Sequence, residues 1–429
     1  MFETLRNAWS IQDIRKKILY TLMILILFRL GSAIPVPFLD PTVLKSMMTD
    51  AGGGNILGYL DVLTGGGLSQ ATLFAMSITP FINAQIIMSL LTVALPPLER
   101  LSKEGSEGRK KIATITKYVA LGIGLFQAVM YYITLRNWGA VSYTADFPGF
   151  FAGAVIITAL TAGASVIIWL GDRINEKGIG NGVSLILFAG IISRAPSAVL
   201  TLIKLIGTDL KYTLLIPIIL LIFLAMIVFI IYVTNAERRI PIQYAKRVVG
   251  RKMYGGQSTH IPIKVAMSGV MPIIFAMSLM SIPSMIVQFI TPNPTGVWAS
   301  IVKLFQYNNP FYAILYFLLI ILFNFFYVSI QYNPIQIAND LRKNNGAIPG
   351  IRPGKPTSDF ISRILSRVTL IGAIFLGIIA IFPIFFSAVS GVQIALGGTT
   401  MLIVVGVALD TMRTLESQMT MRQHKGFLE

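Results

Sequence analysis

Residues 214–233 read LLIPIILLIFLAMIVFIIYV, a run without a single charge. A helix needs roughly 20 predominantly apolar residues to cross about 30 Å of bilayer hydrocarbon, so this stretch predicts a membrane span. Residues 368–386, VTLIGAIFLGIIAIFPIFF, repeat the pattern. Neither run alternates polar and apolar residues over about ten positions, as a transmembrane barrel strand would. Working outward, about ten such stretches stand between polar, Gly-rich or Pro-rich breaks, near 17–36, 70–95, 113–135, 150–170, 183–204, 213–234, 265–290, 311–331, 368–389 and 393–412. The expected fold is an all-α polytopic membrane protein of ten transmembrane helices.

The composition agrees. Of 429 residues, 12% are charged and 55% hydrophobic, and mean hydropathy is +0.74. Soluble domains carry about 25% charged residues, so a disordered chain and an ordinary cytosolic enzyme are both poor fits. Lys and Arg total 35 against 18 Asp and Glu, a net charge of +17. Of the basic residues, 28 fall on the face that holds the N-terminus, and Arg29, Lys45, Arg136, Arg194, Lys204, Lys211 and Lys303 fall on the other. By the positive-inside rule both termini are cytoplasmic. The charge is first a topology signal, and nucleic acid gains little from it.

Arg15, Lys16 and Lys17, followed by the apolar run Ile18–Phe28, imitate a secretory signal peptide. The apolar stretch continues past Arg29, so an uncleaved first span is expected. Before it, Phe2, Leu5 and Trp9 recur at helical spacing beside Arg6 and Asp13. Residues 1–16 thus read as a short helix on the cytoplasmic surface.

The chain has no cysteine, and its two histidines, His260 and His424, lie in polar segments. Disulfides, Cys/His metal sites and intramembrane His catalysis are excluded. PGIRPGKPT, Pro349–Thr357, imitates a phosphate loop but has the wrong Gly spacing, a proline after Lys355 and no preceding strand. The reading is of a non-enzyme without a cofactor, whose energy source belongs to a partner.

Five is odd, so if spans one to five (17–204) and six to ten (205–412) are repeats, they are inverted, with a pathway between them. Two cytoplasmic connections, 235–262 and 332–366, exceed the usual length between packed helices and read as projecting loops. The first carries Arg238, Arg239, Lys246, Arg247, Arg251 and Lys252; the second carries Arg342, Lys343, Arg352, Lys355, Arg363 and Arg367. Attraction to anionic lipid accounts for part of this charge, and docking of a large cytoplasmic partner for the loop length. Residues 413–429 read as a cytoplasmic tail.

GGGNILGYLDVLTGGG, residues 52–67, sets a core too short to cross the membrane between two glycine triplets on the outer side. It predicts a re-entrant, movable stopper with Ile56, Leu57, Tyr59, Leu60 and Leu63 as its packing face and Asp61 among them. SITPFINAQII, Ser77–Ile87, breaks an apolar span with a proline and with Thr79, Asn83 and Gln85. Span seven is similar, with Pro272, Ser278, Ser281 and Pro283. Interrupted helices at corresponding places of two halves point to a pathway.

SITPFINAQ, then GDRINEKGIGNGVSLILF (171–188), YAKRVVGRKMYGGQSTHIPIK (244–264), PGIRPG (349–354) and GGTTMLIVVG (397–406) together resemble the bacterial SecY family. That resemblance implies a protein-conducting channel of the plasma membrane, with an hourglass pore between two five-helix halves and a plug after span one. Matched by motif, the waist falls on Ile78, Ile82, Val183, Leu187, Ile274 and Ile403. Spans two and seven become the lateral gate, with Asn83 and Ile282 near passing signal sequences. The implied partners are SecE and SecG subunits, the SecA ATPase, the ribosome, signal-bearing preproteins and membrane lipid, with nucleic acid only as ribosomal RNA; Arg352 matches the family's functionally important arginine. The rival is an inverted-repeat secondary transporter for a small solute. It needs buried charged handles, and only Asp61 and boundary residues such as Lys117, Arg194 and Asp410 qualify.

Overall fold

The computed structural model describes residues 2–44, 61, 64–143, 146–205, 210–244, 247–249, 252–254, 258–290, 304–305, 309–390 and 398–425. A short helix α1 (Phe2–Ser10) leads into α2 (Gln12–Gly31). The break is at Ile11, so residues 12–16, read from sequence as part of the surface helix, are continuous with α2. Ala8 of α1 is buried with Ile14, Ile179 and Leu415, which pins the short helix to its neighbours, while Trp9 is left half exposed.

The second apolar stretch departs from its expected helix over 70–95. Helix α3 spans only Thr79–Ala94. Residues 64–78 form turns, with Ala71 and Ser77 at φ +49° and +48°, a conformation no right-handed helix admits. Their backbone is satisfied across the chain: Val36 donates to the Ala71 carbonyl at 2.8 Å and Leu73 to the Ile34 carbonyl at 2.9 Å. At its other end α3 turns by 98° into α4 (Pro96–Lys103), because paired prolines cannot continue the helix.

Long helices follow: α5 (Ser106–Asn137), α6 (Asp146–Lys177), α7 (Gly182–Leu205) and α8 (Leu210–Asn235). In the second part come α9 (Met271–Ile290), α10 (Pro310–Gln331), α11 (Pro334–Lys343), α12 (Lys355–Ser390) and α13 (Gly398–Lys425). A helix falls within each of the ten apolar stretches. Among the described residues, five helices are long and apolar enough to cross a membrane, six if the bent α3–α4 pair counts as one span. The protein is a largely helical membrane protein. Helix α8 shows why: Ile216, Ile219 and Ile230 are buried, whereas Leu221 and Leu224 are 69% and 66% exposed. Such a surface is stable only against lipid.

α2, α3, α5, α6 and α7 pack among themselves, as do α8, α9, α10, α12 and α13. The two groups meet where α9 crosses α3 and α5, and where α7 touches α13 and α8. Close approach is built with small residues: a Cβ on Gly163 would stand 2.0 Å from the Leu73 carbonyl oxygen.

The long connections are not loops. Residues 237–264 hold a hairpin of β1 (Glu237–Tyr244) and β4 (Ser258–Lys264), paired antiparallel with Ile240 opposite Ile261. A smaller hairpin, β2 (Arg247–Val249) with β3 (Lys252–Tyr254), forms within it. The second connection contributes β5 (Gly346–Ala347) to the far edge of β1, giving the order β4-β1-β5. The all-helical expectation is corrected by this sheet. Residues 332–366 otherwise fold as α11 and the start of α12, whose 36 residues extend about 54 Å. That exceeds about 30 Å of hydrocarbon, so the Arg363 and Arg367 positions read as loop lie on a helix protruding from the membrane. Likewise α13 continues to Lys425, through most of the segment read as a tail.

Candidate functional site

The six positions assigned to a waist come from four helices or their ends. Ile78 precedes the first turn of α3 and Ile82 follows one turn later, so the two stack on one face. Val183 and Leu187 share the same spacing on α7. That helix starts where it does because Asn181 Oδ1 accepts from the Val183 N–H at 3.1 Å and Asn175 Oδ1 from the Gly182 N–H at 2.8 Å. Ile274 lies in the first turn of α9, and Ile403 in α13.

The structure gathers all six into one apolar cluster. Ile78, Ile82, Leu187 and Ile403 are buried in it, and Val183 and Ile274 pack half-buried against it. Ile24 and Phe28 of α2, Phe74, and Ile167, Leu170 and Ile174 of α6 complete its wall. Ile86 and Val270 pack against both this cluster and the core formed by α9, α10 and α12. The cluster therefore joins the two helix groups through apolar contacts. Among the described residues no group of acidic or His side chains could hold a metal.

Beside it runs the contact between α3 and α9. Thr79, Asn83 and Gln85 on α3 are half-buried, and neither Asn83 nor Gln85 makes a side-chain hydrogen bond among the described residues. Ser278 is half-buried on α9, and the side chain of Ile282 lies outside the described residues. An apolar seam would not carry unpaired amides, since each costs free energy in hydrocarbon unless water or another helix satisfies it.

Of the stopper residues, Ile56, Leu57, Tyr59, Leu60 and Leu63 lie outside the described residues. Asp61 is described and buried. Arg194 donates to its carboxylate, a pairing not read from the sequence, which sets Asp61 in the expected stopper and Arg194 among the outer-face basic residues.

The sheet brings the two basic connections onto one body. Ile240, Ile242 and Ile263 of the hairpin share a buried cluster with Leu341, Ile348, Ile361, Leu365 and Val368. Arg238, Arg239, Arg342, Lys343, Arg352 and Lys355 are exposed around it. Arg247 and Lys252 are on the tip hairpin, whereas Lys246 and Arg251 lie outside the described residues. Glu237 accepts from Arg239 Nε at 2.7 Å, and this bond, with the charges of Arg239, His260 and Lys264, outweighs desolvation and holds its carboxyl below the usual carboxylate range. Sequence reading missed the sheet. The signal was present in ERRIPIQY, where Ile240 and Ile242 alternate with exposed Arg239, Pro241 and Gln243.

A family model described as SecY matches residues 72–412. The chain belongs to the SecY family. A relative from Halalkalibacterium halodurans, the protein translocase subunit SecY, is 41% identical over the full length of both chains. Among solved structures, the chain resembles SecY in a study of its plug domain, with TM-score 0.66, 18% identity, and coverage of 94% of this chain and 92% of that one. It also resembles Sec61 in the canine ribosome-channel complex from the endoplasmic reticulum, with TM-score 0.61, 18% identity and the same coverage. At that identity the likeness speaks for the SecY fold alone.

Proposed function

We propose that this chain is the central protein-conducting channel of a plasma-membrane Sec translocase. It passes unfolded secretory proteins outward and releases hydrophobic segments sideways into lipid. The observation that carries this reading is the closure of six aliphatic side chains, from both helix groups, into a single apolar cluster. A narrow apolar constriction excludes water and ions by dewetting, yet it deforms around a passing chain without binding it strongly. It is the waist of a pore between two inverted halves of five spans, and both termini are cytoplasmic, where 28 of the 35 basic residues fall.

The half-buried Thr79, Asn83, Gln85 and Ser278 make the α3–α9 contact a weak seam, fit to part as a lateral gate with Ile282 beside it. Residues 52–67 act as the stopper. The exposed arginines and lysines around the β4-β1-β5 sheet are the cytoplasmic docking face for the SecA ATPase and for ribosomal RNA, with SecE and SecG as membrane partners. The chain itself performs no catalysis and takes no cofactor. The named relative is a translocase subunit, and the small-solute transporter reading draws no support from it.

Reconstitution tests this. The purified chain with its SecE-type partner in liposomes moves a signal-bearing preprotein inward when SecA and ATP are supplied. Uptake of small solutes without a motor, and none of the preprotein, would overturn the proposal.

A further inference from the structure

The turn 265–270 carries the chain from β4 into α9. Its two ends belong to different cores. Val265 and Met267 pack against the buried cluster of the cytoplasmic body, which holds Ile240, Leu341 and Leu365. Val270 packs against both the waist cluster and the core of the second helix group, and Ile274 follows one helical turn later. The turn is therefore a direct physical link from the basic cytoplasmic body to the waist.

Neighbouring elements grip it along its length. The Val265 N–H donates to the carbonyl of Ala236, just past the end of α8, at 2.9 Å. Gly372 of α12 lets the backbone come close: a Cβ there would stand 2.4 Å from the Val265 carbonyl oxygen. In the middle, the Ser268 hydroxyl donates to Asn324 Oδ1, and Asn324 Nδ2 donates to the Thr369 carbonyl at 2.8 Å. Ser268, Asn324 and Thr369 are all buried. Asn324 interrupts YFLLIILFNFFYV, residues 316–328 of α10. An amide among such side chains is costly unless it is bonded, and its hydrogen bonds go to the turn and to α12. Beside Ser268 stands Gly269, exposed and at φ +59°, where the turn is free to bend once the amide lets go.

We propose that Asn324 is a positioning residue, the pin of a rigid coupler that carries displacement of the cytoplasmic body into α9. This rests on reading that body as the docking face and the α3–α9 contact as the seam. Asn324 touches nothing that is transported; it acts through the turn. A hydroxyl and an amide buried together are both satisfied in one arrangement, and leaving either unpaired is unfavourable, so the turn keeps a single shape. A turn of fixed shape, seated at one end in the docking body and at the other against the waist, passes a push on to Val270 and Ile274. A turn that bends at Gly269 absorbs it.

The test is a distance across the seam, measured between spin labels on Leu90→Cys in α3 and Leu279→Cys in α9, both exposed positions. The chain has no thiol of its own to take a label. In the reconstituted complex, docking of SecA with a non-hydrolysable ATP analogue shifts this distance. Ser268→Ala and Asn324→Leu each lose the shift while SecA binds with unchanged affinity. The double variant behaves as either single one, because both remove the same contact. Ser268→Thr keeps the hydroxyl and keeps the shift. Ile320→Ala removes buried packing one turn away in α10 but leaves the pin, and it too keeps the shift. Should Asn324→Leu fail to assemble, Ser268→Ala reads the same contact from the turn. A shift that persists in Ser268→Ala overturns the coupler, and so does its loss in Ile320→Ala or Ser268→Thr, which would mark general loosening of the helices. If SecA binds the parent without any shift, the coupler is wrong and the docking face stands. If SecA does not bind the parent, the docking face is wrong and the coupler falls with it.

Discussion

Replacing Ile403 with Asn perturbs the waist at its most diagnostic position. Ile403 is 2% exposed and packs in the cluster that holds Ile78, Ile82 and Leu187. Burying an isoleucine side chain contributes about 1.5–3 kcal/mol, and an unpaired amide in an apolar site costs about 1–3 kcal/mol. The side chains packed with it are apolar, so water entry offers the available relief. Each 1.4 kcal/mol by which the dry state loses its advantage is about a tenfold change in the wetted fraction. The amide term alone, about 1–3 kcal/mol, should therefore raise resting conductance in planar bilayers about 5- to 150-fold. Ile403→Val supplies the control: it removes one methylene, buries no amide and leaves the site apolar, so its conductance should stay well below that of Ile403→Asn. Ile218→Asn, at a position 57% exposed to lipid, tests whether any buried amide in the bilayer would do. Equal leak from Ile403→Asn and Ile403→Val would refute dewetting as the barrier, and so would leak from Ile218→Asn matching that of Ile403→Asn.

The remaining predictions concern the cytoplasmic body and the packing beneath it. Ile240→Ala, at a site 2% exposed in the core shared by both basic connections, should destabilise that body by about 2–5 kcal/mol. It should weaken SecA-stimulated transport and ribosome binding together in flotation and uptake assays; loss of one alone would show that the connections act separately. Arg352→Glu, on an exposed side chain, should reduce SecA-driven transport while leaving the thermal midpoint unchanged, and a drop of several degrees would mark it as structural instead. Asn324 accepts from the Ser268 hydroxyl and donates to the Thr369 carbonyl at 2.8 Å, joining α10, α12 and the turn before α9. Asn324→Ala should cost about 1–3 kcal/mol in denaturant unfolding, whereas Ser77→Ala, which removes a buried hydroxyl with no partner, should cost little; the reverse order would contradict the hydrogen-bond assignment.

Much of the fold was legible because hydrocarbon length is a local property. Residues 214–233 and 368–386 announce helices without reference to any other segment, and each of the ten stretches holds one. The prediction slipped where local pattern and backbone disagreed. Hydropathy ran the second span back to residue 70, but Ala71 and Ser77 take left-handed φ and the turn instead pairs with Ile34 and Val36. The cytoplasmic connections were judged by length and charge, so the alternation of Ile240 and Ile242 went unweighed. Motif resemblance picked out the six residues that share the apolar cluster, and nothing in their own chemistry marks Ile78 as different from an exposed isoleucine such as Ile218.

The amino-acid sequence by itself determined the solvent of this protein, the absence of Cys-based chemistry, and the motifs of its family. Each follows from transfer free energies or residue types that a segment carries wherever it sits. Only the tertiary structure decided that Ile78, Ile82, Val183, Leu187, Ile274 and Ile403 meet, that Asp61 falls to Arg194, and that two connections share one sheet. In lipid both faces of a helix are apolar, so hydrophobicity cannot say which face is buried. That choice belongs to shape, small-residue contacts and a few polar pairs, and these exist only once the helices have come together.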